Sequence, residues 1–313
     1  MVPMMKVIPA LATAALLLTA SASAPGAQEP DPNEAVRVFT SRITDGATKK
    51  EAGRAYYGRG NAYASLGNYE AAIADFSKVI ELFPLSPSVY ITRARICFWT
   101  SPPRYDQAAA DLNKALELNP NASEAYDLLG DLAKIQNDYI LALSLYGKAI
   151  ATNPDYGDAY WDRGRVHQFR GEFTQAAADF RKTIQLLPTF EYPYLHLLLV
   201  TRLAKADDKA VAASFRAFIQ ANPSTEWVRT LSSFCLGQGK LDEAGILALA
   251  GNGKDAADVK ARRAEAFFYL GVQRLIAGNR KGAEDFFIQA LTTGRNWSLD
   301  VQALIALMQS GKL

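Results

Sequence analysis

Thiol and imidazole chemistry is nearly missing from this chain, which holds two cysteines, Cys97 and Cys235, and two histidines, His167 and His196. Neither histidine has a ligand or nucleophile at motif spacing, which speaks against a zinc site and a hydrolase triad. Gly58-x-Gly60 follows no strand pattern, so the glycines do not read as a phosphate loop. An excess of one charge is also lacking: 34 Lys and Arg stand against 32 Asp and Glu. Nothing in that balance favours nucleic acid or an anionic membrane surface. Carboxylates alternate with Lys and Arg and read as solvated helix faces. No catalytic residue, cofactor or metal is expected.

A run long enough to span a bilayer is absent as well. After Lys6 the apolar segment VIPALATAALLLTA covers residues 7–20, shorter than the ~17–25 residues a span needs but suited to a signal-peptide core. Small residues at −3 and −1 place cleavage after Ala22. Ala24 is the second choice, disfavoured by Pro25, and retention of the segment as an anchor is the alternative. No cysteine lies near the end of the run to accept a lipid. Residues 1–22 therefore read as a signal peptide, 23–32 as a flexible leader, and the mature chain as exported, periplasmic and without a membrane span.

What the chain has in abundance is a repeat. In residues 157–190, Tyr160, Gly164, His167, Phe173, Ala176, Phe180 and Pro188 take the large, small and terminating places of a tetratricopeptide unit of ~34 residues. Residues 53–86 carry Tyr56, Gly60, Tyr63, Gly67, Tyr69, Ala72, Phe76 and Pro84 in the same places. Residues 87–122 do so with a two-residue excess at Ser101–Arg104, expected to lengthen only a turn, and residues 123–156 form the third unit. Residues 191–223 and 224–250 match in a degenerate way, GNGKDAAD breaks the pattern, and 264–295 restores it. A helix over 33–46 behind Asp31-Pro32 and another over 298–310, capped by Ser298, read as end caps. The expected fold is all-α, a right-handed tetratricopeptide solenoid of antiparallel helix pairs. In such a stack Cys97 and Cys235 are several units apart and read as two buried thiols.

Comparing repeats separates structural charges from candidate contacts. Positions 7 and 23 change together: Arg59 with Asp75, Arg93 with Asp111 and Arg163 with Asp179, but Leu129 with Leu145 and Leu270 with Phe286. Covariation between an ion pair and two apolar groups marks helix–helix contact rather than ligand binding. On the first helix of each unit, positions 2, 5, 9, 12 and 13 share one arc. That arc predicts a groove for a protein or peptide partner, with Tyr57, Asn61, Arg95, Asp131, Trp161, Arg165 and Phe169 as candidate contacts beside Arg54, Ile91, Phe98, Trp99, Asp127 and Lys134. Aromatic residues and Arg in such a mixture dominate interface energies. In the fifth and last units the arc is apolar, through Leu195, Leu199, Phe268, Val272, Leu275 and Ile276, and calls for a cover from the chain itself or a second subunit.

The helix before the first repeat, Arg59-Gly60-Asn61-Ala62-Tyr63, the degenerate middle after Pro223, and FFYLGVQRLIAG with its closing helix resemble the periplasmic NlpI-type tetratricopeptide proteins of bacteria. That resemblance implies a non-catalytic, dimeric adaptor that brings cell-wall hydrolases to an envelope protease. The missing lipid-acceptor cysteine departs from it. A structural or assembly subunit of an envelope or secretion complex is the alternative, and a cryptic hydrolase the third reading. Lys at position 5 and Asn at position 9, which clamp a terminal carboxylate in chaperone-binding repeats, are matched here by Asn61 but not by Tyr57.

Overall fold

The structure, a computed structural model, describes residues 31–222, 226–238, 241–293, 298–311 and 313. The expected signal peptide, nearly all of the leader, Pro223, Gly239 and the side chain of Ser298 lie outside them. Among the described residues there are sixteen helices and no strand. They are α1 Pro32–Ser41, α2 Lys49–Ser65, α3 Tyr69–Leu82, α4 Pro87–Cys97, α5 Tyr105–Leu118, α6 Ser123–Ile135, α7 Tyr139–Thr152 and α8 Gly157–Phe169. There follow α9 Phe173–Leu186, α10 Tyr192–Leu203, α11 Lys209–Ala221, α12 Glu226–Cys235, α13 Glu243–Ala250, α14 Ala256–Ile276, α15 Arg280–Thr293 and α16 Ser298–Gln309.

Local chemistry sets several of these starts. Asp31 accepts from the Asn33 amide ahead of Pro32, and Thr48 forms a reciprocal capping box with Glu51, satisfying donors that a helix start leaves open. Asp255 accepts from the Asp258 amide at 2.8 Å. That cap starts α14 at Ala256 rather than at residue 264, adding two helical turns to the last unit. The insertion in the second unit does more than lengthen a turn. The Arg104 amide donates back to the Cys97 carbonyl at 2.9 Å, and the Thr100 hydroxyl bonds the Cys97 and Pro102 carbonyls. These bonds close a loop over residues 98–104, so α4 ends at Cys97 and loses its last half-turn.

Within each helix pair the small and large positions interlock. Ala72, Phe76, Ala108, Leu112, Ala176, Phe180, Ala283 and Phe287 are completely buried. A Cβ added to Gly164 would stand 2.8 Å from the Phe180 ring, and one on Gly271 2.4 Å from Phe287, so only glycine lets those helices approach. Each buried Phe contributes ~1.5–3 kcal/mol.

The chain divides into two compact units, one ending at Leu141 and the other starting at Ala142. In the first, α1 packs on α2 through Phe39, whose ring lies against Gly58, and α2 to α6 follow as a stack in which each helix meets its neighbours. The second unit departs from nearest-neighbour stacking. There α10 meets α14, and α16 meets α8 as well as α15. Leu195, Leu199, Phe268, Val272 and Leu275 are buried in one cluster with Val301, Leu304, Leu307 and Met308. The apolar arc is thus covered by the chain itself.

Candidate functional site

The three covarying pairs form in the structure. Arg59 holds Asp75 through Nε and Nη2, both at 2.8 Å. Arg93 holds Asp111 at 2.8 and 2.6 Å, and Arg163 holds Asp179 at the same two distances. Two parallel bonds from a planar guanidinium clamp the two helices of a unit. The paired carboxylates raise all three guanidinium pKa values. These charges are spent on the fold.

The inner arc is open in one stretch and closed in another. On α2, Arg54 is exposed and Tyr57 and Asn61 are half-buried. The Tyr57 ring meets Phe76 edge to face at 5.5 Å. The Asn61 side-chain oxygen is turned inward and takes no hydrogen bond from a described residue. On α4, Arg95 pairs with Glu124 and Trp99 rests half-buried near Tyr69, whereas Ile91 and Phe98 are buried. On α6, Asp127 is buried and Asp131 takes a 2.7 Å bond from Lys134, both of them buried too.

On α8 the arc is interior: Trp161, Arg165 and Phe169 are only 7%, 8% and 5% exposed. The Trp161 ring packs against Phe180, Phe190 and His196, with centroids 5.4, 5.1 and 5.0 Å away. The Arg165 guanidinium lies over both Trp161 and Phe169. Asp131, Trp161, Arg165 and Phe169, read from helical angle as groove-lining, are therefore not on the surface of the free chain. Angle alone treats every repeat as having an empty inner face. For Trp161, Phe180 and Phe190 of its own unit and His196 of the next supply the rings that cover it.

The structure also gathers residues that periodicity did not single out. Glu265 on α14 accepts from Trp227 Nε1 at 2.8 Å and from the Tyr192 hydroxyl at 3.0 Å. Beside it Glu191 accepts from the Ser232 hydroxyl at 2.9 Å. Burial pushes both carboxyls above their ordinary range. His196 shares its Nδ1 with Gln168 Oε1 at 2.9 Å, and burial, then the Arg165 charge, push it down to about 3. His167 is not a core residue but partly open, with Nδ1 2.6 Å from Glu172. Burial pushes the Cys97 and Cys235 thiols up to about 12. Among the described residues no group of His, Cys, Asp and Glu is placed to hold a metal ion, and no helix is long and apolar enough to cross a membrane.

Residues 53–84 and 128–189 each match a family model described as tetratricopeptide repeat. The chain carries tetratricopeptide repeats. Over 63 residues it is 38% identical to the rice (Oryza sativa subsp. japonica) "Protein SGT1 homolog", a stretch covering 20% of this chain and 17% of that relative. Among solved structures it is similar to PilF of Pseudomonas aeruginosa, at 18% identity and a TM-score of 0.49, over 82% of this chain and 98% of that one. It is similar also to PilW, described as a type IV pilus biogenesis factor, at 16% and 0.49, over 77% and 92% of the two chains. A third is YrrB, a TPR protein with an unusual peptide-binding site, at 20% and 0.42, over 74% and 96%. Tetratricopeptide repeats of this kind bind protein or peptide partners.

Proposed function

We propose that this protein is a non-catalytic scaffold of the bacterial cell envelope that holds a protein or peptide partner on the inner arc of its first two repeats. One contrast carries the reading. Once the charges clamping the helix pairs are set aside, the side chains left accessible on that arc are Arg54, Tyr57, Asn61 and Trp99, with Arg95 beside them, while the arc on α8 is closed. Aromatic rings and Arg are the side chains enriched among those that carry most of the energy of protein interfaces.

Export rests on the apolar run at residues 7–20, and the resemblance to periplasmic adaptors points to cell-wall hydrolases or proteases as partners. A non-catalytic role is supported by the tetratricopeptide repeats, which generally serve as scaffolds, and by the burial of Cys97, Cys235 and His196.

The test is affinity capture from a periplasmic fraction with the native chain and with Arg54→Glu plus Asn61→Leu. The variant is expected to keep its helical content and to bind the captured partner at least tenfold more weakly, the equivalent of ~1.4 kcal/mol. Undiminished capture places the contact elsewhere.

A further inference from the structure

A helix that closes a solenoid covers the last pair, and α16 does this for α15. Its contact with α8, far upstream in the chain, has no place in that role. Leu307 Cδ2 stands 3.0 Å from the position a Cβ would take on Gly171, which closes the α8–α9 turn at φ +74°. Phe173, at the start of α9, packs against the cluster that contains Leu304, Leu307 and Met308. On α16 the buried residues Val301, Leu304, Leu307 and Met308 follow one stripe, with Gln302, Ala306 and Gln309 exposed opposite. An amphipathic helix seats in a groove in this manner.

The means of attachment sets α16 apart from its neighbours. Side chains specific to their partners tie α14: Arg274 grips Glu243 through two nitrogens, and Glu265 takes bonds from Trp227 and Tyr192. Among the described side chains, α16 is held by burial of its stripe and by a hydrogen bond from the Arg280 guanidinium to the main-chain carbonyl of Met308. A cation on the last carbonyls of a helix is favourable whatever the helix sequence, because those acceptors are open and carry the negative end of the dipole. Neither of these two contacts uses a polar side chain of α16, so each is open to another helix with the same apolar spacing.

We infer that the surface formed by α8, the α8–α9 turn and α15 is a helix-docking site, filled in cis by α16 and open to an amphipathic partner helix that carries apolar residues at the spacing of Val301, Leu304, Leu307 and Met308. The inference rests on the scaffold reading and adds to it a second face with a defined class of partner. In the resting chain that face is closed by its own helix, so a partner binds in proportion to the time α16 spends away.

Two measurements on the full chain test this. In native-state hydrogen exchange the α16 amides are expected to exchange at least tenfold faster than the buried amides of α14. The second uses a fluorescein-labelled peptide of residues 297–313 as probe. Leu307→Asp in the full chain, which loosens α16 and leaves the surface of α8 and α15 native, should speed α16 exchange and bind the probe at least tenfold more tightly than the native chain does. Gly67→Ala, with nothing within 4 Å of the added carbon, should do neither. A probe carrying Leu304→Asp and Leu307→Asp should not bind, and adding Arg280→Ala to Leu307→Asp should weaken the unmodified probe severalfold. Exchange of α16 together with α14 as one unit overturns the inference, even if Leu307→Asp does not fold. So does faster α16 exchange in that variant with no gain in probe binding. The probe is the chain's own helix, so its result is independent of partner capture on α2.

Discussion

Glu265 shows how one buried group couples this fold to pH. Its carboxyl is held by two neutral donors, on α10 and α12, and shares its surroundings with Glu191 and with Arg262, whose guanidinium lies near the Trp227 ring. Burial raises its pKa in the folded state. A raised carboxyl contributes stability that is fully present below the unfolded value of ~4.3 and is lost as pH climbs through the folded value. His196, pushed down to about 3, has the opposite sign: its contribution is present above ~6.5 and is lost as pH falls toward the folded value. Glu265→Gln removes the first effect and keeps the acceptor, since the Tyr192 hydroxyl can turn to accept from the new amide. It is expected to raise the thermal midpoint at pH 8 by about 2–4 °C, the scale of ~1 kcal/mol in a unit this large. The gain should fade toward pH 4. A midpoint lowered at every pH would show that the carboxylate bonds outweigh the burial of charge.

At the scale of the element, the helix pair is the unit of stability, and its clamp is testable. Asp179→Arg breaks the bidentate contact with Arg163 and puts two cations together between α8 and α9. Restoring opposite signs with Arg163→Asp should recover part of the loss. A coupling energy of ~1–3 kcal/mol is expected from the double-mutant cycle by urea unfolding; additivity would remove the clamp. The clamps were legible in the sequence because two positions of a repeat changed together inside one chain. The loop over residues 98–104 was not, because its shape comes from the Arg104 amide reaching the Cys97 carbonyl, a bond that repeat spacing does not encode. The early start of α14 at its Asp255 cap was missed for a similar reason: the repeat pattern gave the core positions and passed over the cap.

For the whole molecule, the two thiols make a simple report on burial. Both are inaccessible and pushed up to about 12, against ~8.5 for a free thiol. A disulfide reagent at pH 8 should label neither in the native chain and both after denaturation. Fast labelling of Cys235 alone would reveal an opening of the second unit near α12. The sequence by itself determined the helix pairs, the small and large residues that lock them, the ion pairs that clamp them and the demand for a cover over the apolar arc, because each is a local rule applied once per repeat. Only the tertiary structure decided which part of the inner arc stays open. Trp161 and Phe169 carry the same positional signature as Tyr57 and Trp99. Whether such a ring faces solvent or the interior depends on what packs against it, as Phe190 and His196 do on Trp161. Burial is a property of the assembled surface, and a periodic pattern specifies which side a residue takes but not what comes to lie against it.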